Sequence, residues 1–346
     1  MRYNAPGMAT ARALTSPAKL RPLLEQHRLW LRKRLGQHFL CDANILDKIV
    51  KAAEIGPGDA VLEIGAGIGT LTLALAKATA KVVAVEIDDR LVPLLRENLA
   101  GLGNVEILHA DILKIQPARV VSAHADCRAG LRRPAAFGAA SPEAAHSRAQ
   151  ESPRPCGGGR RRARPTETPT HRWKVVANLP YSITGPVIVH LLHQRPRPEL
   201  MVLMVQKEVA DRLLSAPGSK EYGSLSVLAQ ATMEIERVAT VSRNCFFPVP
   251  NVDSAIIGLR PRKKVAVPTR LSATFERVLR ASFGQRRKTL LNALSGSALG
   301  LSRAAAAEAL AAAGIPPQAR AESLDAAQFG SLTRAVHSVL SEADQK

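Results

Sequence analysis

Residues 60–70 read Ala-Val-Leu-Glu-Ile-Gly-Ala-Gly-Ile-Gly-Thr, and this run limits the fold more than any other stretch of the chain. A five-residue stretch that suits a buried strand ends in glycines at 65, 67 and 69. Glycine adopts backbone conformations closed to other residues and brings no Cβ to obstruct a neighbour. The chain can therefore turn sharply out of a strand at 60–64 and into the helix expected over 70–78. Strand, glycine turn and helix make the first unit of an open parallel sheet, in which ligands sit outside the carboxyl ends of the strands. The spacing is GxGxG. The dinucleotide fingerprint GxGxxG would need its third glycine at 70, where Thr70 stands.

The pattern around this run alternates. A helix is expected over 44–53, then Gly56-Pro57-Gly58-Asp59 breaks the chain ahead of the first strand. Further strands are expected at 81–86, 105–109, 174–177 and 200–205, with helices at 89–100, 185–193, 206–215 and 222–231. Two last strands, 233–241 and 254–260, have no helix between them and are expected to pair antiparallel at one edge. Residues 268–346 show only helical periodicity and are rich in alanine. The expected class is α/β, with a mostly parallel seven-stranded Rossmann-like sheet and a small helical domain at the C-terminus. The expected units are a basic extension over 1–31, the sheet domain over 32–265 and the helical domain over 266–346. Within the extension, Leu20, Leu23, Leu24 and Leu31 fall at roughly helical spacing.

Lys and Arg number 48 against 29 Asp and Glu, a formal charge of +19, which points to a polyanionic partner. Part of this charge lies in a segment that breaks the alternation. Residues 116–172 hold 11 Arg, 4 acids and few large apolar residues, a net of +7, so the rest of the chain keeps +12. Such a segment buries too little apolar surface to order itself and is expected to be a disordered insertion. It reads as inert, as a tethered basic arm, or as an artefact of the gene model; the inert reading is preferred, because surface loops tolerate long insertions. Four cysteines at 41, 127, 156 and 245 form no CxxC pair and no zinc-ligand spacing, so no metal is expected. No membrane span or secretory core is evident. A cytoplasmic monomer is expected, although the acid-free first 24 residues faintly resemble an organellar presequence.

Three strand ends carry candidate ligand groups. The glycine turn with Gly65 and Gly67 opens a helix whose amides face the crevice. Glu86 ends the second strand, where a carboxylate can accept two hydrogen bonds from ribose hydroxyls. Asp111 follows the third strand and can accept from an adenine amino group. Each alone is as readily a turn, a strand end or a helix cap; together they point to a nucleoside-bearing cofactor. The next strand ends in Asn178-Leu179-Pro180-Tyr181. An adenine amino group is a poor nucleophile because its lone pair is delocalised. The Asn178 side-chain oxygen and the Leu179 or Pro180 carbonyl can accept both N–H bonds and free that lone pair toward a sulfonium methyl. Tyr181 can stack on the base, and Phe246, in the loop Phe246-Phe247-Pro248-Val249-Pro250, on its other face. The competing reading makes Asn178 a buried turn cap with Tyr181 in the core.

Seven blocks then resemble one family: RLGQHFL at 34–40, EIGAGIGTLT at 63–72, NLPY at 178–181, QKEVADRL at 206–213, YGSLSV at 222–227, FFPVPNVDSA at 246–255 and FGQRRKTLLNAL at 283–294. They resemble the KsgA-type ribosomal RNA adenine dimethyltransferases over about 32–115 and 173–335. The resemblance implies S-adenosylmethionine as cofactor and small-subunit rRNA, in an immature subunit, as partner, with two adjacent adenosines near its 3′ end dimethylated. It implies cofactor contacts at Gln37, His38, Leu40, Gly65, Gly67, Glu86, Asp111 and Asn178; His38 stands where many relatives have Asn. Asn178, Leu179, Pro180, Tyr181 and Phe246 would surround the adenine. Leu290, Leu291 and Leu294 fit one helix face and leave Arg286, Arg287 and Lys288 for RNA phosphates.

Three other functions compete. An Erm-like enzyme would share the chemistry on large-subunit rRNA and confer antibiotic resistance. A DNA adenine methyltransferase would need a sequence-reading module that is not evident. An RNA-binding assembly or transcription factor would have no need to keep Gly65, Glu86, Asp111 and Asn178 together.

Overall fold

The computed structural model describes residues 14–29, 36–79, 81–125, 172–285 and 287–343. The glycine-led run forms β2 (Ala60–Ile64), buried along its whole length. On one side it pairs in parallel with β3 (Lys81–Glu86), which pairs with β4 (Val105–His109). On the other it pairs with β5 (Trp173–Asn178), which pairs with β6 (Leu200–Gln206). Successive strands thus progress away from β2 in opposite directions, which makes its carboxyl end the switch point of the sheet, where a crevice opens. The last strands, β7 (Met233–Val241) and β9 (Ser254–Pro261), pair antiparallel as expected. β9 also pairs antiparallel with β6, so the full order is β4-β3-β2-β5-β6-β9-β7.

Side chains of a strand alternate between faces, and the sheet builds two cores accordingly. Val61, Val82, Ala84, Val176, Val202 and Ile256 point into one. Leu62, Val83, Val85, Val175, Leu203 and Ile257 point into the other. Each Val, Leu or Ile side chain among them contributes about 1.5–3 kcal/mol on burial. Helices α2 (Ala43–Ala52), α3 (Thr70–Ala78), α4 (Leu91–Asn98) and α6 (Thr184–Leu192) begin or end within two residues of where the sequence places them. Asp42 caps α2 by accepting from the Asn44 and Ile45 amides at 2.8 and 3.1 Å.

The N-terminal leucines do form a helix, α1 (Pro17–Gln26), and it is part of the sheet's core: Leu20 and Leu24 are buried there, with Leu23 packed beside them. Leu31 and the basic residues after it lie outside the described residues. The expected insertion needs a correction at its start. Residues 117–125 form helix α5, whose Ala118 and Val121 are buried against the sheet. Pro117 is preorganised for a first helical turn, and Ala118 and Val121 make a short apolar face that the composition of the whole segment conceals. The remainder, 126–171, lies outside the described residues.

Beyond α7 (Lys207–Leu214), α8 (Ser224–Gln230) and the last strand come α9 (Ser272–Phe283), α10 (Leu290–Ser295), α11 (Arg303–Ala312) and α12 (Ala326–Ala343). They enclose a third core of Phe275, Leu279, Leu294, Leu310 and Phe329. Tyr222 and Val227 enter this core from the sheet side, and the Tyr222 hydroxyl donates to the Leu324 carbonyl at 2.9 Å. No described helix is long and apolar enough to cross a membrane.

Candidate active site

Gly65, Gly67 and Gly69 have φ of 73°, 60° and 90°, the left-handed conformation that other residues enter only with strain. At Gly67 the close approach is decisive, because a Cβ would lie 2.9 Å from the Phe39 ring. The turn is locked to the next strand: the Gly67 amide donates to the Glu86 carboxylate at 2.7 Å. The other Glu86 oxygen accepts from the Ile87 and Asp88 amides at 2.9 and 2.8 Å. Three of its roughly four acceptor positions are thereby used, which leaves one for a ribose hydroxyl where the sequence suggested two. Burial raises the Glu86 pKa, and these amide bonds oppose the rise.

The cavity at this switch point is lined by Gln37, His38, Leu40, Gly65, Gly67, Glu86, Asp111, Asn178, Leu179, Pro180 and Tyr181. Asp111 lies there while its carboxylate also caps the turn that follows, accepting from the Leu113 amide at 3.0 Å. Asn178 uses its side-chain nitrogen to donate to the His38 carbonyl at 3.1 Å, which leaves Oδ1 as the acceptor. The Pro180 carbonyl already accepts from the Ile183 amide and the Thr184 hydroxyl, at 3.2 and 3.1 Å. Of the two carbonyls suggested by sequence, the Leu179 carbonyl is therefore the one open to a ligand. The Tyr181 hydroxyl bonds Ser254 Oγ at 2.6 Å, and the His38 ring stacks against Tyr181 with centroids 5.3 Å apart. Burial raises the Tyr181 phenol pKa; Ser254 lowers it and Asp253 raises it further.

Phe246 is not where the sequence puts it. A two-stranded ladder of β1 (Phe39–Leu40) and β8 (Phe246–Phe247) sets Phe246 opposite Leu40, and its ring is 2% exposed in the core. It does not line the cavity. The same ladder lets the His38 ring meet the Pro248 carbonyl at 2.8 Å, so the loop closes the cavity without offering that ring to it. Arg287 and Lys288 are exposed beside the buried Leu290 and Leu294, with Leu291 half-buried; Arg286 lies outside the described residues.

Two features of the site escape a sequence reading. Gln37 donates to Asp88 at 2.8 Å, and Arg90 grips the same carboxylate with two nitrogens at 3.0 and 2.8 Å. Glu63, one residue before Ile64 in an otherwise apolar strand, is 2% exposed and lines the cavity. Its Oε2 has no hydrogen-bond partner among the described residues. Burial pushes its carboxyl up to about 8; Thr72 offsets part of this and the Glu86 charge adds to it. An acid inside an apolar strand was the available signal. Among the described residues no group of three or more His, Cys, Asp or Glu side chains is placed to share a metal ion.

A glycine cradle that a single Cβ would fill, a buried carboxylate with one oxygen unpartnered among the described residues and carboxylates on successive strand ends fit a positively charged nucleoside. A sheet of this order with that crevice defines an S-adenosylmethionine-dependent methyltransferase. The profile of the family described as ribosomal RNA adenine dimethylase matches residues 28–337, and the chain belongs to that family. The ribosomal RNA small subunit methyltransferase A of Pelotomaculum thermopropionicum is 43% identical over 92% of this chain and 96% of its own length. The protein of the same name from Moorella thermoacetica is 42% identical over 93% and 98%. A crystal structure of a dimethyladenosine transferase from Plasmodium falciparum matches with a TM-score of 0.61 at 25% identity, over 87% of this chain and 98% of that one. That of the 23S rRNA methyltransferase ErmE matches with 0.55 at 26% identity, over 86% and 99%.

Proposed function

We propose that the chain dimethylates two adjacent adenosines near the 3′ end of small-subunit rRNA, acting as a cytoplasmic monomer on the immature subunit. One observation carries the reading: Asn178-Leu179-Pro180-Tyr181 lines the same cavity as the glycine turn, Glu86 and Asp111. S-adenosylmethionine, when bound, supplies an electrophilic methyl group on a sulfonium. Gly65 and Gly67 would admit it close to the backbone, Glu86 would accept from its ribose, Asp111 from its adenine, and Gln37, His38 and Leu40 would cover it. At the target base, Asn178 Oδ1 and the Leu179 carbonyl accept the two amino N–H bonds. The nitrogen lone pair is then drawn out of the ring and aimed at the methyl group. Tyr181 supports the base from the face that His38 leaves open. Positioning and exclusion of water supply most of the rate.

The helical unit, 266–346, is proposed to hold the RNA, with Arg286, Arg287 and Lys288 on phosphates. The test is incubation with labelled S-adenosylmethionine and small ribosomal subunits lacking the modification, followed by mapping of the methylated bases. Dimethylated adenosines in a single adjacent pair are expected. Label confined to large-subunit RNA would favour the second reading, which rests on the likeness to the 23S rRNA methyltransferase ErmE.

A further inference from the structure

The cofactor cavity and the protein that contains it have opposite charge character. The chain carries +19, yet among the described residues no Lys or Arg lines this cavity. Its titratable lining residues are Glu63, Glu86 and Asp111, with His38 and Tyr181. Two of the three carboxylates are satisfied within the protein. Glu86 accepts three amide hydrogen bonds, and Asp111 caps a turn and lies 3.9 Å from Lys114. Glu63 is compensated less fully: it is 2% exposed, Thr72 offsets only part of its burial, and its Oε2 is unpartnered among the described residues. A buried polar group left without a partner is costly, and a buried charge more so. A carboxylate kept this way in a ligand cavity is suited to a positive charge that arrives with the ligand.

We propose that Glu63 makes the cavity select its ligand by charge, favouring the cationic methyl donor over the neutral demethylated product. Methyl transfer then loosens the hold on the spent cofactor. The inference takes S-adenosylmethionine as the cofactor and goes beyond it. The donor carries a sulfonium, an ammonium and a carboxylate, a net single positive charge. The product, S-adenosylhomocysteine, has a thioether in place of the sulfonium and is neutral overall. Only the donor brings a surplus charge to offset the burial of ionised Glu63.

A proton accompanies the selection. Burial, only partly offset by Thr72 and reinforced by Glu86, holds the Glu63 carboxyl at about 8 in the free protein, so it is mostly protonated at neutral pH. A cation entering the cavity lowers that value, and the proton leaves to solvent. Donor affinity therefore rises with pH until the free carboxyl is ionised, whereas product affinity changes little. The other carboxylates of this region are Asp111, Glu86, whose pKa burial raises, and Asp88, which Arg90 and Gln37 hold well below the usual carboxylate range. Among the described residues the lining also includes the His38 imidazole. Tyr181, whose pKa burial raises, stays protonated.

The test is isothermal titration calorimetry of the full chain with S-adenosylmethionine and, separately, S-adenosylhomocysteine, in buffers of different ionisation enthalpy. Between about pH 6 and pH 7 the donor's own amine stays charged, and donor affinity is expected to tighten about fivefold with net proton release, below the tenfold limit for one linked proton. Product affinity should stay within about twofold over that range. Glu63→Gln should abolish both the proton release and the pH effect and weaken the donor by about tenfold, while product binding changes by less than about twofold. His38→Asn should retain the proton release. The proposal is overturned if native protein binds the donor without releasing a proton, whether or not E63Q folds. It is equally overturned if E63Q keeps the native preference for donor over product. Failure of native protein to bind either ligand would instead overturn the cofactor assignment.

Discussion

The Asn178 side-chain nitrogen donates to the His38 carbonyl at 3.1 Å, tying the end of β5 to the segment that covers the cofactor cavity. The bond fixes the orientation of the amide, with its nitrogen on the His38 carbonyl and its oxygen left as an acceptor in the cavity, so under the proposed mechanism the residue joins the two halves of the reaction. Asn178→Ala should lower the single-turnover methylation rate on small subunits by about 10²- to 10³-fold, the usual cost of removing one preorganised polar group from a transition state. Affinity for S-adenosylmethionine should fall less than about tenfold. A variant that methylates at the native rate would refute the amino-group mechanism.

Asp88 is the anchor on the other side of that covering segment. Its carboxylate holds Gln37 and two Arg90 nitrogens. Burial alone would raise its pKa, but the hydrogen bonds from Arg90 and Gln37 outweigh burial and hold it well below the usual carboxylate range. A depressed folded-state pKa stabilises the protein above the unfolded value, about 3.9, and that stabilisation is lost as pH falls below it. Asp88→Asn should therefore cost about 1–3 kcal/mol near neutral pH. Its deficit in melting temperature against native protein should narrow as pH drops from about 5 to 3. A deficit that stays constant over that range would mean that the charge on Asp88 contributes nothing to folding.

Gly67→Ala separates the cradle from general stability. The new methyl would meet the Phe39 ring at 2.9 Å in a backbone with φ of 60°. Relief requires a shift of either Phe39, in the ladder that closes the cavity, or the amide that holds Glu86. We expect a loss of about 1–3 kcal/mol of stability and weaker binding of the cofactor. Gly58→Ala is the control: nothing lies within 4 Å of a Cβ there, and its φ is not left-handed. It should cost under about 1 kcal/mol and leave cofactor binding intact. Equal cofactor affinities in the two variants would show that the close approach at Gly67 does not matter.

What could be read in the sequence was whatever short-range pattern encodes. The glycine turn, the alternating strands and Asn178-Leu179-Pro180-Tyr181 each contain their own reason within a few residues, and the structure brings them to one cavity. Phe246 does not. Its surroundings in a proline-rich loop suggest an exposed ring, and its burial depends on Leu40, a partner far along the chain in a ladder too short to show periodicity. The choice between the Leu179 and Pro180 carbonyls was likewise hidden, because it turns on donors from Ile183 and Thr184 that exist only once the following turn has formed. Helix α5 was hidden for another reason: its buried residues among those described, Pro117, Ala118 and Val121, are outnumbered by the polar and small residues around them.

That correction defines how the insertion should be tested. Removing 116–172 would take away a helix that fills the core, and any loss of activity would say nothing about charge. Deleting 126–171 instead keeps α5 and joins it to the residue before β5. The deletion removes nine Arg and four acids, a net of +5, from a chain of +19. If these residues neutralise phosphates, the slope of log affinity against log salt for single-stranded rRNA fragments falls by about 0.7 for each phosphate no longer engaged. We expect no change in slope, because Arg287 and Lys288, exposed on the helical unit, are the residues proposed to meet the phosphates. Replacing both with Ala should reduce the slope by about 1.4. A deletion that lowers the slope while R287A/K288A leaves it unchanged would move the RNA-binding surface from the helical unit to the insertion.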